Sequence, residues 1–219
     1  EGVITQSDAG VAMNEGVPSI RLAMPLIAPH LAYHLMTKSH DAQIRTTIDP
    51  ALQAAIERLA LQEQSYFDDH ASLSIVVVEN KTRNVLAYVG GVDYWGKSGQ
   101  IDLARRTRSP GSALKPFIYG LAFDDLILHP STMMEDQATT FGDYAPKDFS
   151  GAFQGSVTAR DALRMSLNVP AVMVLDRVGP LRFTLALSNA GAQLAFPTKD
   201  TEPSLPVALG GLGISLADM

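Results

Sequence analysis

The chain has 219 residues, 46% of them hydrophobic and 18% charged, the make-up of a folded globular protein with room for one large domain or a domain and a connector. A formal net charge of −6 speaks against a nucleic-acid binder, whose contact face is basic. The absence of cysteine excludes disulfides, thiolate metal sites and cysteine nucleophiles, and no apolar run approaches the ~18 residues that span a bilayer.

Residues 1–42 lack a sustained period, and Pro18, Pro25 and Pro29 interrupt the apolar run Ile20–Ile27. They read as a connector without a long helix, with room for two turns between Pro29 and Met36. Gln43–Ile48 carries β-branched residues and is expected to form a short strand. Asp49-Pro50 then offers an N-cap and a proline at the first helical position. Leu52, Ile56 and Leu59 follow at helical spacing, so a helix is expected over Pro50–Gln64, its apolar stripe facing a sheet.

Two apolar runs, Leu73–Glu79 and Val85–Gly90, flank five polar residues and read as a hairpin. A lone hairpin is marginal in water, so more strands or a covering helix must accompany it. Gly90–Gln100 is a glycine-rich loop, and the breaker Pro110-Gly111 precedes a helix expected from Ser112 to Asp124 or Asp125, with Phe117 and Leu121 inward. His129–Gly155 is expected to be loop. Thr158-Ala159-Arg160-Asp161 resembles a capping box and opens a helix that stops near Asn168. Further helices are expected from Pro170 to Val178, closed by Gly179, and from Leu181 to Ala190, closed by Gly191. The pattern is α+β, an antiparallel sheet covered by helices.

The chemistry concentrates at Ser112 and Lys115. Positions i and i+3 share a helical face, which brings the hydroxyl beside the amine. A serine hydroxyl is a poor nucleophile until a base accepts its proton, and a desolvated neutral lysine can do so. The N–H groups of a helix start favour developing negative charge. Downstream, Ser166-Leu167-Asn168 falls between two expected helices, where a hydroxyl can relay a proton and an amide can hold substrate or the lysine. S-x-x-K and S-x-N each occur once, in that order, a pairing known from penicillin-binding proteins and class A β-lactamases.

Longer runs extend the resemblance. Arg45-Thr46-Thr47-Ile48-Asp49-Pro50-Ala51-Leu52-Gln53, Arg108-Ser109-Pro110-Gly111-Ser112-Ala113-Leu114-Lys115-Pro116-Phe117-Ile118-Tyr119 and Ser166-Leu167-Asn168-Val169-Pro170-Ala171-Val172 together resemble the transpeptidase domain of class A penicillin-binding proteins. The resemblance covers residues 43–219, the N-terminal part of that penicillin-binding domain, with residues 1–42 resembling the connector from an upstream glycosyltransferase domain. It implies a fold of the β-lactamase-like kind, incomplete here, and a bifunctional parent chain anchored in the inner membrane with this domain on the periplasmic side. It also implies peptidoglycan D,D-transpeptidation through an acyl-serine intermediate, with stem peptides ending in D-Ala-D-Ala as substrates, β-lactams as inhibitors, and neither cofactor, metal nor nucleic acid required. Carried over by position, Ser112 is the nucleophile, Lys115 its base, Ser166 the proton relay and Asn168 a substrate-positioning residue; the Ser112 backbone N–H is one oxyanion donor.

The family's third motif, K-[ST]-G on a strand after S-x-N, is not reached before Met219, so the chain by itself is expected to be inactive or impaired. Lys97-Ser98-Gly99 matches the letters but precedes the nucleophile in a loop, and is read as coincidental. His30 and His34, at i and i+4, have a metal-compatible spacing but no third ligand and are read as packing of the connector. Tyr88, Tyr94 and Trp95 could line a groove, with core or rim packing an equal alternative. Arg105, Arg106 and Arg108 read as a solvated basic face by default, with substrate contact as the alternative. The motifs leave two other functions open: a D,D-carboxypeptidase or β-lactamase, in which water resolves the acyl-enzyme, and a non-catalytic module that binds cell-wall peptides or proteins.

Overall fold

The computed structural model describes residues 5–14, 26–67, 71–146, 151–198 and 201–219. Most of the proline-interrupted run at 20–27 lies outside the described residues. Two helices occupy the N-terminal region, α1 (Gln6–Asn14) and α2 (Pro29–Lys38), the second longer by two residues than the two turns expected. Gln43–Ile48 is extended but is not a strand of a ladder. It touches the sheet through the Thr47 Oγ1 hydroxyl, which donates to the Val85 carbonyl at 2.7 Å, and through the Asp49 N–H to the Leu86 carbonyl at 2.9 Å. A side chain takes the place of a ladder bond, so β-branched composition alone misled.

Helix α3 (Pro50–Gln64) has the bounds its caps dictate. The Asp49 carboxylate accepts from the N–H groups of Ala51 and Leu52, both at 2.9 Å, satisfying two of the donors a helix start leaves free. It packs on β2 as expected, with Leu52 and Ile56 half-buried, but the expected stripe is not the whole of its inward face. Leu59 and Leu61 are exposed, whereas Gln53 and Ala60 are fully buried. The Gln53 amide grips the backbone of Tyr88, donating to its carbonyl at 3.0 Å and accepting from its N–H at 2.7 Å. That pair of bonds closes the outer edge of β2 at this point, the role an additional strand would otherwise fill.

Strands β1 (Ile75–Val78) and β2 (Val85–Val89) form the expected antiparallel hairpin, from Ile75 opposite Val89 to Val78 opposite Val85, with a bulge at Val77/Val78. A second ribbon was not expected. Strands β3 (Met133–Asp136) and β4 (Gly155–Thr158) pair antiparallel within the stretch read as loop. Each is four residues long, and neither Met-Met-Glu-Asp nor Gly-Ser-Val-Thr has the alternation and β-branched content that announces a strand.

Helix α4 (Lys115–Asp124) follows a 3₁₀ turn, Gly111–Leu114, so Ser112 sits on the tighter turn and Lys115 begins the α-helix. Phe117 is exposed, Leu121 is half-buried against the core as expected, and the fully inward residues include Ile118, Tyr119 and Ala122. Helix α5 (Ala159–Arg164) is capped by the Thr158 hydroxyl, which accepts from the Asp161 N–H at 3.1 Å. It ends at Arg164, earlier than expected, and α6 (Asn168–Val178) begins before Pro170. Pro170 is the third helical residue there, where a backbone N–H has no partner to lose. Helix α7 (Pro180–Asn189) follows Gly179.

Helix α6 is the centre of the core. Val169, Ala171, Val172, Val174, Leu175 and Val178 are buried on it, joined by Leu114, Ile118, Tyr119 and Ala122 beneath the Ser112 turn, Phe183 of α7, and Val207, Ala208, Leu212 and Ile214. Each such aliphatic side chain contributes ~1.5–3 kcal/mol by leaving water, so the Ser112 turn is seated on the best-packed part of the molecule. No helix among the described residues is long and apolar enough to cross a membrane.

Candidate active site

Ser112 lies on the 3₁₀ turn with its side chain exposed, and Lys115 follows one turn later, 1% exposed. In a 3₁₀ helix, residues i and i+3 eclipse one another, so the two side chains leave the turn in line. The Lys115 N–H bonds the Ser112 carbonyl, which fixes the turn itself. A lysine with four methylenes in a core is tolerated only when its amine is met by acceptors. The Lys115 Nζ donates to the Ser166 carbonyl at 2.6 Å, to the Asn168 Oδ1 at 2.7 Å and to the Ser166 Oγ at 3.3 Å.

Those acceptors come from the α5–α6 turn. The Ser166 N–H bonds the Leu163 carbonyl and the Leu167 N–H the Ala162 carbonyl, closing α5, and Ser166 then takes a left-handed φ of 56°. This conformation disfavours residues other than glycine and asparagine by ~1 kcal/mol or more. It presents both the carbonyl and the hydroxyl of Ser166 to one amine. Asn168, the first residue of α6, adds its amide oxygen. Ser166 is exposed and Asn168 half-buried. The structure thus gathers Lys115, Ser166 and Asn168 by direct hydrogen bonds and places the exposed Ser112 one turn before Lys115, tied to it by a backbone bond.

A brace that the sequence reading missed holds the nucleophile turn from the other side. Arg108 and Ile214 exchange both backbone bonds at 3.0 Å, and Ala195 and Gly213 do the same at 2.8 and 2.7 Å. The Ser109 hydroxyl donates to the Gly210 carbonyl at 2.8 Å. Gly210 has a φ of +91°, and a Cβ there would stand 2.6 Å from the Gly111 N and 2.3 Å from the Ser109 Oγ. The only sequence signal was Gly210-Gly211, which says that backbone passes close to something without saying what.

The other residues singled out fall elsewhere. Lys97-Ser98-Gly99 lies in a turn-rich loop, with Gly99 lending its carbonyl to the His30 Nε2 at 2.7 Å. His30 is buried, and the His34 Nε2 accepts from the Arg105 guanidinium at 2.7 Å. Burial, then the charges of Arg105 and Lys38, hold the His34 imidazole below its ordinary pKa. No cluster of metal ligands exists among the described residues. Tyr88 is a core residue whose hydroxyl donates to both Asp102 carboxylate oxygens at 2.9 and 2.7 Å, whereas Trp95 is exposed and packs edge-on against Tyr94.

A lysine buried against S-x-N beneath an exposed serine, within a mixed helix and sheet fold, defines the penicillin-binding class of acyl-serine domain. The chain belongs to that family: residues 73–202 match the model described as penicillin binding protein transpeptidase domain. It is similar to penicillin-binding protein 1C of Escherichia coli (strain K12), 37% identical over 221 residues, covering 100% of this chain and 29% of that protein. Penicillin-binding protein 1F of Bacillus subtilis (strain 168) is 33% identical over 173 residues, covering 77% of this chain and 23% of that protein. Among solved structures, the penicillin-binding protein PonA1 from Mycobacterium tuberculosis shares the fold with a TM-score of 0.71 at 22% identity, covering 88% of this chain and 53% of that one. The chain spans less than a third of the length of these two curated relatives.

Proposed function

We propose that the chain supplies the acylation site of a peptidoglycan D,D-transpeptidase, acting within a class A parent protein anchored at the periplasmic face of the inner membrane. The observation that carries the reading is the buried Lys115 amine held by Ser166 and Asn168, one 3₁₀ turn from an exposed Ser112. In the donor half-reaction the Ser112 Oγ attacks the carbonyl of the penultimate D-alanine of a stem peptide, and its proton passes to Lys115 once that amine has released one of the three protons it donates to Ser166 and Asn168. The Ser166 hydroxyl, already within 3.3 Å of that amine, passes its proton to the departing nitrogen and takes in its place the proton held by Lys115, as the C–N bond breaks and D-alanine leaves. An amine of a second stem peptide then attacks the Ser112 ester, its surplus proton passes by way of Lys115 to the Ser112 oxygen, and the C–O bond breaks. Asn168 steadies the lysine and offers its amide to the peptide backbone.

A β-lactam would acylate Ser112 by the same opening step, with its ring C–N bond broken and no fragment released. Support comes from a fold neighbour, the PonA1 protein of Mycobacterium tuberculosis, solved in complex with penicillin V. The test is to incubate the parent protein with a fluorescent penicillin and map the labelled peptide. Label on the Ser112 peptide, lost in Ser112→Ala, is the expected result. A labelled peptide that excludes Ser112, or none at all, removes the acyl-serine assignment. Product analysis separates the finer readings: cross-linked peptides are expected from a transpeptidase, trimmed monomers from a carboxypeptidase.

A further inference from the structure

A cavity of about 430 Å³ opens between α2 and the loop that leads to the Ser112 turn, away from Lys115. Its walls include Tyr33, His34, Tyr94, Ile101, Arg105 and Arg106. Charge in it is unbalanced for a reason visible in the bonding. Asp102, the one carboxylate lining the cavity, is occupied: both its oxygens accept from the Tyr88 hydroxyl, and Oδ1 also accepts from the Ala104 N–H at 3.1 Å. Neither arginine makes an ion pair among the described residues. Arg105 is instead steadied by the neutral His34 ring, while Arg106 is exposed with its backbone N–H tied to the Asp102 carbonyl at 3.1 Å. Lys38, in the last turn of α2, adds positive charge nearby. In a chain of net charge −6, this is a hollow in which two arginines face one carboxylate, whose oxygens are already engaged by a tyrosine hydroxyl and a backbone N–H.

We infer that this cavity binds the carboxylate-bearing part of a peptidoglycan stem peptide at a place separate from the Ser112 site. The guanidinium forks of Arg105 and Arg106 match carboxylates. The volume exceeds what a bare oxyanion fills, and the faces of Tyr33, Tyr94 and Ile101 give it the apolar walls an organic ligand needs. The identity of the ligand rests on the cell-wall reading above; the cationic character does not. Such a site would hold a second strand's stem, or the flank of the donor strand, against the domain while Ser112 reacts, raising its effective concentration.

The test titrates the parent protein with three probes and reads binding by calorimetry. They are a stem tripeptide lacking the D-Ala-D-Ala end, the same tripeptide with its carboxylates amidated, and inorganic phosphate. The tripeptide should bind, amidation should weaken it at least tenfold, and Arg105→Gln combined with Arg106→Gln should do the same. Fluorescent-penicillin labelling of Ser112 and the melting temperature should be unchanged in that variant, which separates loss of a site from loss of the fold. Arg106→Gln alone, at a fully surface position, should already weaken binding. Equal binding by wild type and double variant overturns the inference. So does phosphate binding as tight as the tripeptide, which would make the cavity a bare oxyanion site. Failure of Ser112 to take label in the wild type bears on the transpeptidase reading instead, because the tripeptide does not engage that site.

Discussion

Replacing Gly210 by alanine tests whether the brace behind the nucleophile turn is tight. Two costs combine there. The φ of +91° is left-handed territory, where an alanine is disfavoured by ~1–2 kcal/mol. The new methyl would also stand 2.6 Å from the Gly111 N and 2.8 Å from the Gly111 Cα. Those are backbone atoms of the segment carrying Ser112, so relief requires moving the turn itself, and overpacking of this kind costs ~1–3 kcal/mol. The expected loss is therefore about 2–5 kcal/mol, a fall in melting temperature of roughly 4–20 °C for a chain of this size. Gly120→Ala is the control. Gly120 lies inside α4 with nothing within 4 Å of the added methyl, so alanine there should stabilise by ~0.5–1 kcal/mol. Thermal unfolding followed by circular dichroism reads both, and penicillin labelling should slow in Gly210→Ala but not in Gly120→Ala. A Gly210→Ala variant that melts at or above the wild-type temperature would refute the close approach.

Lys115→Met keeps the length of the buried side chain but removes the amine, leaving the Ser166 carbonyl and Asn168 Oδ1 without this donor; labelling of Ser112 should vanish and stability fall by ~1–3 kcal/mol, measured by urea unfolding. Labelling at the wild-type rate would take Lys115 out of the mechanism. Asp49→Ala removes two capping bonds from α3 and should cost about 1 kcal/mol without affecting labelling. Alkaline stability should depend on buried tyrosines. Burial, then the hydrogen bond and charge of Asp102, raise the Tyr88 hydroxyl above its ordinary pKa, and burial with the charge of Asp136 does the same for Tyr119. The folded state then keeps protons the unfolded chain releases, so stability is flat below pH ~10 and falls as pH rises beyond it. Tyr88→Phe should make that decline shallower in urea midpoints taken from pH 9 to 11.5; an unchanged slope would show that Tyr88 does not hold its proton as described.

What the sequence made legible was local in origin. The bounds of α3 follow from Asp49-Pro50 and those of α6 and α7 from Gly179 and Gly191, because caps and breakers act within a few residues. The same locality explains the errors. Asparagine at 168 opens α6 despite Pro170 two residues later, since a proline at the third helical position removes no intrahelical bond and the preference of the preceding residue for extended backbone is overridden. Strands β3 and β4 exist because each finds the other across eighteen or more residues, for which four-residue segments carry no signature. Phe117 and Leu59 are exposed and Gln53 is buried because a helix face is chosen by what lies opposite, and here β2 needed a polar partner for Tyr88.

The site follows the same division, and the division has a consequence for its chemistry. The motif letters identify Ser112 and Lys115 at a spacing of three, which puts the two side chains on one face of an α-helix and eclipses them on the 3₁₀ turn that is found. The turn is held by long-range parts: Ser109 against Gly210, Arg108 against Ile214, and Leu114 against the core of α6. Lys115 is likewise buried, and its amine is held from the α5–α6 turn by Ser166 and Asn168, the left-handed backbone of Ser166 having no signal in its sequence. Nucleophile and base therefore occupy separate supports, one leaning on residues 210–214 and the other on the α5–α6 turn. Their alignment is the quantity both supports must agree on, and loosening either one should slow acylation before it unfolds the chain.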